Sequence, residues 1–170
     1  MPAEEAYLDI ETTGLSPDDC EITVTGIYRW SPEETSCVQL IGRENTADNI
    51  LEALEGIPVI YTYNGHRFDL PFIHRCAGVN LERRYHHHDL MFDCWRNNLR
   101  GGLKAVERQL GIRREIPDVD GRVAIWLWQR YVETFDLEAL EKLKAYNRED
   151  VVNLKTLKEL LRAGPSASSG

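Results

Sequence analysis

Three β-rich segments joined by short turns open the chain, and this arrangement constrains the fold more than any other feature. Polar and apolar residues alternate over residues 6–11, and apolar residues recur over residues 21–30 and 36–41. Turn-forming residues, among them Gly14 and Pro32, separate the segments. Strands that are connected so closely pair as an antiparallel meander. The N-terminal part of the chain therefore predicts one half of a sheet.

The rest of the sequence changes from alternating helices and strands to helices alone. Residues 59–63 form a short β-rich run that predicts a fourth strand, and residues 87–91 predict a weaker fifth strand. Thr46 or Asp48 is expected to cap a short helix before the fourth strand. The remaining helices are predicted near residues 69–76, 102–110, 121–133 and 136–161. This order of elements predicts an α/β fold in which a mixed sheet has helices on its faces.

A chain of 170 residues is expected to form one domain. We predict that this domain spans residues 1–162 and that residues 163–170 form a flexible C-terminal tail. The sequence has no apolar run long enough to cross a membrane, and its N-terminal residues lack the pattern of a secretory signal. The four scattered cysteines form no Cys-x-x-Cys pair. Reduced thiols and a cytoplasmic location are therefore expected.

Four acidic residues in three separated segments give the strongest functional signal. Asp9 and Glu11 are two positions apart on the first predicted strand, so their side chains point to one face. Asp69 follows the fourth strand, and Asp150 lies beside the apolar stripe of the last helix, four residues after Tyr146. Burying such a carboxylate is costly unless it is paired or binds a metal. Oxygen ligands suit Mg²⁺ or Mn²⁺, and two ions about 3.5–4 Å apart catalyse phosphodiester cleavage.

Each acidic segment also has a simpler interpretation when it is taken alone. The pair on the first strand is compatible with a solvated strand face, Asp69 with an ordinary helix cap, and Asp150 with a position facing water. The net charge of −8 argues against a large basic surface for nucleic acid. Carboxylates that hold divalent ions nevertheless leave a site that is close to neutral. Arginines and lysines in the middle third of the chain suit either a phosphate track or solvated helix faces.

Taken in order, these segments resemble the motifs of the DEDD exonucleases of the ribonuclease-H-like superfamily, in the subgroup with tyrosine in the third motif. Residues 9–11 resemble the first motif, residues 64–69 the second and residues 146–150 the third. The second motif is also similar to that of the proofreading domains of family B DNA polymerases. Residues 103–112 resemble stand-alone YprB-type domains, and the resemblance as a whole extends over residues 6–161.

The resemblance implies a five-stranded mixed sheet flanked by helices and a metal-dependent 3′–5′ exonuclease. Such an enzyme releases nucleoside monophosphates from the 3′ end of single-stranded DNA or RNA. The resemblance implies that Asp9, Glu11, Asp69 and Asp150 bind two Mg²⁺ or Mn²⁺ ions. Tyr146 is expected to orient the attacking water, because a phenol with a pKa of about 10 is a poor base. The implied substrate-binding residues are Thr12, Thr13, Gly14, Leu15, Asn64 and Phe68.

Two alternative functions remain open for the sequence. A structure-specific endonuclease or an RNA-trimming enzyme on the same fold would be distinguished by its tolerance of a blocked 3′ end. A non-catalytic nucleic-acid-binding domain would be marked by the loss of a ligand carboxylate, and none is lost here. For an enzyme of this size, weak affinity for nucleic acid or recruitment by a protein partner is expected. No interaction with a membrane is expected.

A run of three histidines invites a second metal interpretation. His86 and His88 would share one face of the fifth strand, and His87 would point to the other. Adjacent histidines rarely form one closed site, so an ordinary surface run is favoured. Asp89, which follows the run, is a candidate for supporting a metal ligand rather than for binding a metal itself.

Overall fold

The computed structural model describes residues 4–164 and contains a five-stranded mixed sheet. The strands are β1 (Glu5–Thr12), β2 (Ile22–Trp30), β3 (Thr35–Ile41), β4 (Val59–Thr62) and β5 (His86–Asp89). Their order in the sheet is β3-β2-β1-β4-β5. The first three strands form the predicted antiparallel meander, whereas β4 pairs in parallel with β1 and β5 in parallel with β4. The predicted α/β fold is confirmed, with β1 at the centre of the sheet.

Helices cover both faces of this sheet. Within the described residues they are α1 (Ala47–Ala53), α2 (Asp69–Ala77), α3 (Leu90–Arg96), α4 (Leu103–Leu110), α5 (Gly121–Thr134) and α6 (Leu137–Ala163). Thr46 caps α1 by accepting a hydrogen bond from Asn49 N, as one of the two predicted caps. The long helix α6 contacts both β1 and β2, so it lies across the middle of the sheet.

The end of the fifth strand differs from its prediction. The strand was expected to continue to residue 91, but β5 ends at Asp89 and α3 begins at Leu90. The side chain of Asp89 accepts a hydrogen bond from Met91 N at 3.1 Å and so caps the helix. Leu90, Met91 and Cys94 are buried on one face of α3. A helix this short has too few apolar positions to show its periodicity clearly in the sequence.

The C-terminal boundary differs slightly from its prediction. Helix α6 continues to Ala163, and Gly164 is the last described residue, so the predicted tail over residues 165–170 lies outside the described part of the chain. No helix within residues 4–164 has both the length and the apolar character that crossing a membrane requires. The four cysteines are all free thiols.

Alternation along β1 divides the core into two layers. Leu8 and Ile10 belong to the apolar layer beneath α1 and α2, whereas Tyr7 belongs to the layer beneath α3 and α6. Each fully buried aliphatic or aromatic side chain contributes about 1.5–3 kcal/mol to this packing. Because side chains alternate along a strand, Asp9 and Glu11 lie on the same face as Tyr7. The predicted acidic pair therefore faces α6.

Candidate functional site

The carboxyl end of β1 and one turn of α6 form the centre of the candidate site. Asp9 and Glu11 project from β1, and Asp150 projects from α6. One carboxylate oxygen from each of these three residues lies within 4.8 Å of the others. We call this group the carboxylate cluster. All of its donors are oxygens, which are the ligands that Mg²⁺ and Mn²⁺ prefer.

Burial and repulsion among its carboxylates dominate the electrostatics of the carboxylate cluster. Burial, followed by repulsion from Asp150, raises the pKa of both Asp9 and Glu11 well above the usual carboxyl range. Burial raises the pKa of Asp150 to about 6, although Arg114 acts in the opposite direction. Three carboxylates so close together repel one another unless a cation lies among them. Donor set and charge therefore both fit a divalent ion.

Asp69, the fourth predicted ligand, lies beside this cluster and not within it. It is the first residue of α2, and its Oδ1 accepts a hydrogen bond from Ile10 N at 3.0 Å. This bond attaches α2 to β1 between Asp9 and Glu11. Burial raises the pKa of Asp69 to about 7, while its backbone hydrogen bonds act to lower it. The negative charge of Asp69 also raises the pKa of both Asp9 and Glu11.

Tyr146 lies one helical turn before Asp150 and borders an open cavity of about 540 Å³. Burial and the charge of Asp150 raise the pKa of its phenol, which therefore remains protonated and can donate a hydrogen bond. Lys104 Nζ lies 4.7 Å from the centre of the Tyr146 ring. The cavity is lined by Asp9, Ile10, Glu11, Tyr63, Asn64, Met91, Gly101, Gly102, Leu103, Lys104, Arg114, Asp120, Gly121, Tyr146 and Asp150.

Arg114 connects the carboxylate cluster to a buried ion-pair network that the sequence did not indicate. Its guanidinium donates to Asp150 Oδ1 and to both carboxylate oxygens of Glu107. Glu107 is almost completely buried and also accepts a hydrogen bond from Asn153 Nδ2 at 3.3 Å. Arg114 Nη1 is buried without a hydrogen-bond partner, 3.6 Å from Glu149 Oε1. The only signal in the sequence was the pair of adjacent arginines at residues 113–114, which also fitted a solvated loop.

Asn147 is a second residue of the site that sequence reasoning missed. Its Nδ2 donates to the backbone oxygen of Asp9 at 3.2 Å and to Asp9 Oδ2 at 3.3 Å. Its Oδ1 accepts a hydrogen bond from Gln39 Nε2 at 3.0 Å. A Cβ atom at Gly26 would lie 2.2 Å from Asn147 Oδ1, so only glycine fits where α6 crosses β2. A glycine inside a strand is the sequence signal for such a close approach.

The predicted substrate-binding segment from Thr12 to Leu15 begins at the last residue of β1 and does not line the cavity. Thr12 Oγ1 donates to Gly14 O, and Thr13 Oγ1 accepts from Glu21 N at 2.9 Å. These bonds hold the turn after the strand. Leu15 is 88% exposed, so most of its apolar surface is accessible.

Of the other two predicted substrate contacts, Asn64 lines the cavity and Phe68 does not. Asn64 has a φ of 60°, and its N–H donates to Asp89 Oδ1 at 2.8 Å. Phe68 packs against Phe72, with ring centres 5.3 Å apart. Asp89 also accepts from His66 N at 3.2 Å. The conformation of the turn that presents Asn64 therefore depends on Asp89, whereas the sequence had suggested that Asp89 supports a metal ligand.

Comparison with known proteins identifies the family. The model of a family described as the RNase_H superfamily matches residues 6–162, and no curated protein matches the chain. The structure of Brucella melitensis NrnC with bound Mg²⁺ is similar at 24% identity and a TM-score of 0.63, over 95% of this chain and 73% of NrnC. The structure of Brucella melitensis NrnC bound to pGG is similar at 22% identity and a TM-score of 0.63, over 95% and 72%. These similarities show a shared fold, and the predicted ribonuclease-H-like superfamily is confirmed: the chain belongs to the RNase_H superfamily.

Proposed function

We propose that this protein is a 3′–5′ exonuclease that hydrolyses single-stranded DNA or RNA with the help of divalent metal ions. The observation that carries the proposal is the carboxylate cluster, in which oxygens of Asp9, Glu11 and Asp150 lie within 4.8 Å of one another beside an open cavity. Membership of the RNase_H superfamily supports the assignment as an analogy of fold. The Mg²⁺ and the pGG in the NrnC structures support a divalent metal and a short nucleic-acid substrate.

The acidic residues are assigned to metal binding. Asp9, Glu11 and Asp150 would hold two Mg²⁺ or Mn²⁺ ions, and Asp69 would complete the set from the end of α2. Such ions would lower the pKa of the attacking water and would stabilise charge on the attacking and leaving oxygens. Asn147 holds the carboxylate of Asp9 in place through the hydrogen bond to its Oδ2. The protein thus supplies the fixed geometry that this chemistry needs.

The residues around the carboxylate cluster are assigned to the substrate. Tyr146 would orient the attacking water by donating a hydrogen bond, because its phenol remains protonated. Lys104 and Arg114 line the cavity and would attract the phosphate groups. The nucleotide at the 3′ end would contact Asn64 in the cavity wall. The other proposed contacts with the strand are Thr12, Thr13, Gly14, Leu15 and Phe68.

The test is a cleavage assay with oligonucleotides labelled at the 3′ or the 5′ end. Single-stranded DNA and RNA are incubated with Mn²⁺, with EDTA as a control, and Asp150→Asn is compared with Asp48→Asn, which makes the same substitution on the exposed surface of α1. We expect a ladder that shortens from the 3′ end and that disappears in EDTA and in Asp150→Asn. Cleavage that persists with a blocked 3′ end would instead identify an endonuclease. Folded protein without metal-dependent cleavage of either strand would refute the proposal.

A further inference from the structure

A second group of side chains that could hold a metal ion lies on the other face of the sheet. His66 comes from the turn after β4, Glu82 from a short 3-10 helix and His87 from β5. Their ligand atoms lie within 4.8 Å of one another. The distance to Glu82 Oε1 is 2.6 Å from His66 Nδ1 and 3.5 Å from His87 Nδ1. We call these three residues the histidine cluster.

We propose that the histidine cluster binds a Zn²⁺ ion through His66 Nδ1, the Glu82 carboxylate and His87 Nδ1. Two imidazole nitrogens and one carboxylate are a ligand set that proteins use for zinc. Imidazole nitrogen favours zinc and similar transition metals over Mg²⁺ and Ca²⁺, which prefer oxygen. The histidine cluster therefore differs in chemistry from the carboxylate cluster, and the proposal does not depend on the nuclease assignment.

His87 is the residue that makes the cluster more than a pair of surface groups. Its side chain is only 9% exposed, and its Nε2 lies 2.7 Å from Thr62 Oγ1. In the tautomer that carries its proton on Nε2, this nitrogen donates to the hydroxyl and Nδ1 has a free lone pair on the side of Glu82. A partner that orients the second ring nitrogen is the usual support of a metal-binding histidine.

The two other ligands leave room for an ion to enter. The side chains of His66 and Glu82 are 56% and 38% exposed, so both can turn without disturbing the core. Ligand atoms around a tetrahedral zinc ion are about 3.3 Å apart, which follows from metal–ligand distances of about 2.0 Å. The separation of His87 Nδ1 from Glu82 Oε1 already agrees with this value, and the shorter separation at His66 needs only a small rotation. Water would occupy the fourth position.

The histidine run, which the sequence placed on the fifth strand, contributes only its middle member. His88 points to the opposite face of β5, packs against Tyr61 and pairs with Asp93. His86 is exposed, and its side chain makes no hydrogen bond or ion pair with the described residues. Alternation along the strand thus separates His87 from its neighbours. The two other proposed ligands, His66 and Glu82, come from distant segments, so no local sequence motif indicated the site.

Zinc bound here would connect the turn after β4 to β5. This turn carries Asn64, and its backbone is already held by Asp89 through the N–H groups of Asn64 and His66. An ion that also holds the His66 side chain would stabilise the same turn from its outer side. Binding to the folded state alone raises the melting temperature. The expected role is therefore structural stabilisation of the turn.

The test measures Zn²⁺ affinity by competition with a chromophoric chelator, in excess Mg²⁺, on the full chain. The variants are His66→Ala and Glu82→Gln, which are both surface changes, and His86→Ala is the matched control. Asp150→Asn is included to identify zinc held by the carboxylate cluster. We expect wild type, His86→Ala and Asp150→Asn to share one tight site, and His66→Ala and Glu82→Gln to bind at least about tenfold more weakly.

Co²⁺ provides a second readout, because cobalt in a tetrahedral site that contains nitrogen ligands has strong visible absorption bands. These bands should be present in wild type and in His86→Ala, and should be lost in His66→Ala. The proposal is wrong if wild type binds no zinc. It is equally wrong if His66→Ala and Glu82→Gln retain the affinity of His86→Ala, or if only Asp150→Asn removes the site.

Discussion

The sheet separates two polar clusters that differ in burial and in charge. In the carboxylate cluster every group is a carboxyl. Burial raises the pKa of Asp9, Glu11 and Asp150, and repulsion from Asp150 raises the pKa of Asp9 and Glu11 further. In the histidine cluster Glu82 lies beside two imidazoles, and His66 forms a hydrogen bond with it. In the first cluster the nearby cations, Arg114 and Lys104, only partly offset burial and repulsion, whereas the second cluster satisfies part of its polar groups internally. We expect the carboxylate cluster to depend on divalent ions much more strongly than the histidine cluster does.

The largest effect should follow from removing one oxygen ligand of the carboxylate cluster. Glu11→Gln keeps the shape of the side chain but removes its charge, and we expect it to lower kcat/KM for a single-stranded oligonucleotide about 1000-fold. Glu52→Gln, an exposed residue of α1, is the matched control and should behave as wild type. If Glu11→Gln retains activity within tenfold of the control, Glu11 is not a metal ligand of the reaction.

The second prediction concerns stability in the absence of metal. Folding raises the pKa of Asp150 to about 6 and that of Asp69 to about 7, from an ordinary value of 3.8. Groups with a raised pKa stabilise the folded protein while they are protonated, and this contribution is lost as the pH rises from about 4 to about 7. In EDTA, the melting temperature should therefore fall over this pH range. Mn²⁺ should restore it most strongly near pH 7.5.

A variant of the carboxylate cluster sharpens this second experiment. Asp150→Asn removes one of the titrating groups, so the melting temperature of this variant in EDTA should change less with pH than that of wild type. Mn²⁺ should also stabilise the variant less, because one ligand is absent. A wild-type melting temperature in EDTA that rises steadily between pH 4 and pH 7 would contradict the raised pKa values.

A third prediction concerns the contact between Asn147 and Gly26. Asn147→Ala removes the two hydrogen bonds to Asp9, and we expect kcat to fall about 10- to 100-fold, because such supporting bonds orient a ligand. Gly26→Ala should destabilise the protein, since the added Cβ would lie 2.2 Å from Asn147 Oδ1. In the double variant the obstructing side chain is shortened, so part of this cost should disappear.

Chemical denaturation of wild type, Asn147→Ala, Gly26→Ala and the double variant measures the coupling between the two residues directly. A free energy of unfolding in which the two changes are additive would show that Gly26 and Asn147 do not interact. Activity provides an independent readout, because Asn147→Ala should lower kcat more than it raises KM. A merely structural role for Asn147 would instead lower the amount of folded enzyme and leave kcat per folded molecule unchanged.

Local periodicity explains how much of the carboxylate cluster could be predicted. Alternation along β1 placed Asp9 and Glu11 on one face, and helical spacing did the same for Tyr146 and Asp150. These relations span at most a few residues and need no tertiary information. Strands and helices could be predicted from the sequence for the same reason. Whether the four acidic residues bind two ions stays a prediction.

The parts that could not be predicted depend on contacts between distant segments. Arg114 reaches Asp150 from a loop 36 residues earlier, and Asn147 reaches Asp9 across a separation of 138 residues. The sequence around Arg114 and around Asn147 does not indicate which residue each of them contacts in the fold. Helix α3 was missed because its cap, Asp89, also ends a strand. Sequence patterns thus located the acidic residues of the cluster, but the groups that hold them in place emerge only from tertiary packing.

The smallest expected effect tests the positive charge that faces the carboxylate cluster. Lys104 lies over the ring of Tyr146 and lines the cavity, so Lys104→Met should raise KM for an oligonucleotide about three- to tenfold with little change in kcat. Lys142→Met, an exposed lysine paired with Asp118, is the matched control. Because phosphate contacts make binding salt-dependent, the salt dependence of KM should also weaken in Lys104→Met. A fall in kcat at constant KM would instead place Lys104 in the chemical step through its contact with Tyr146.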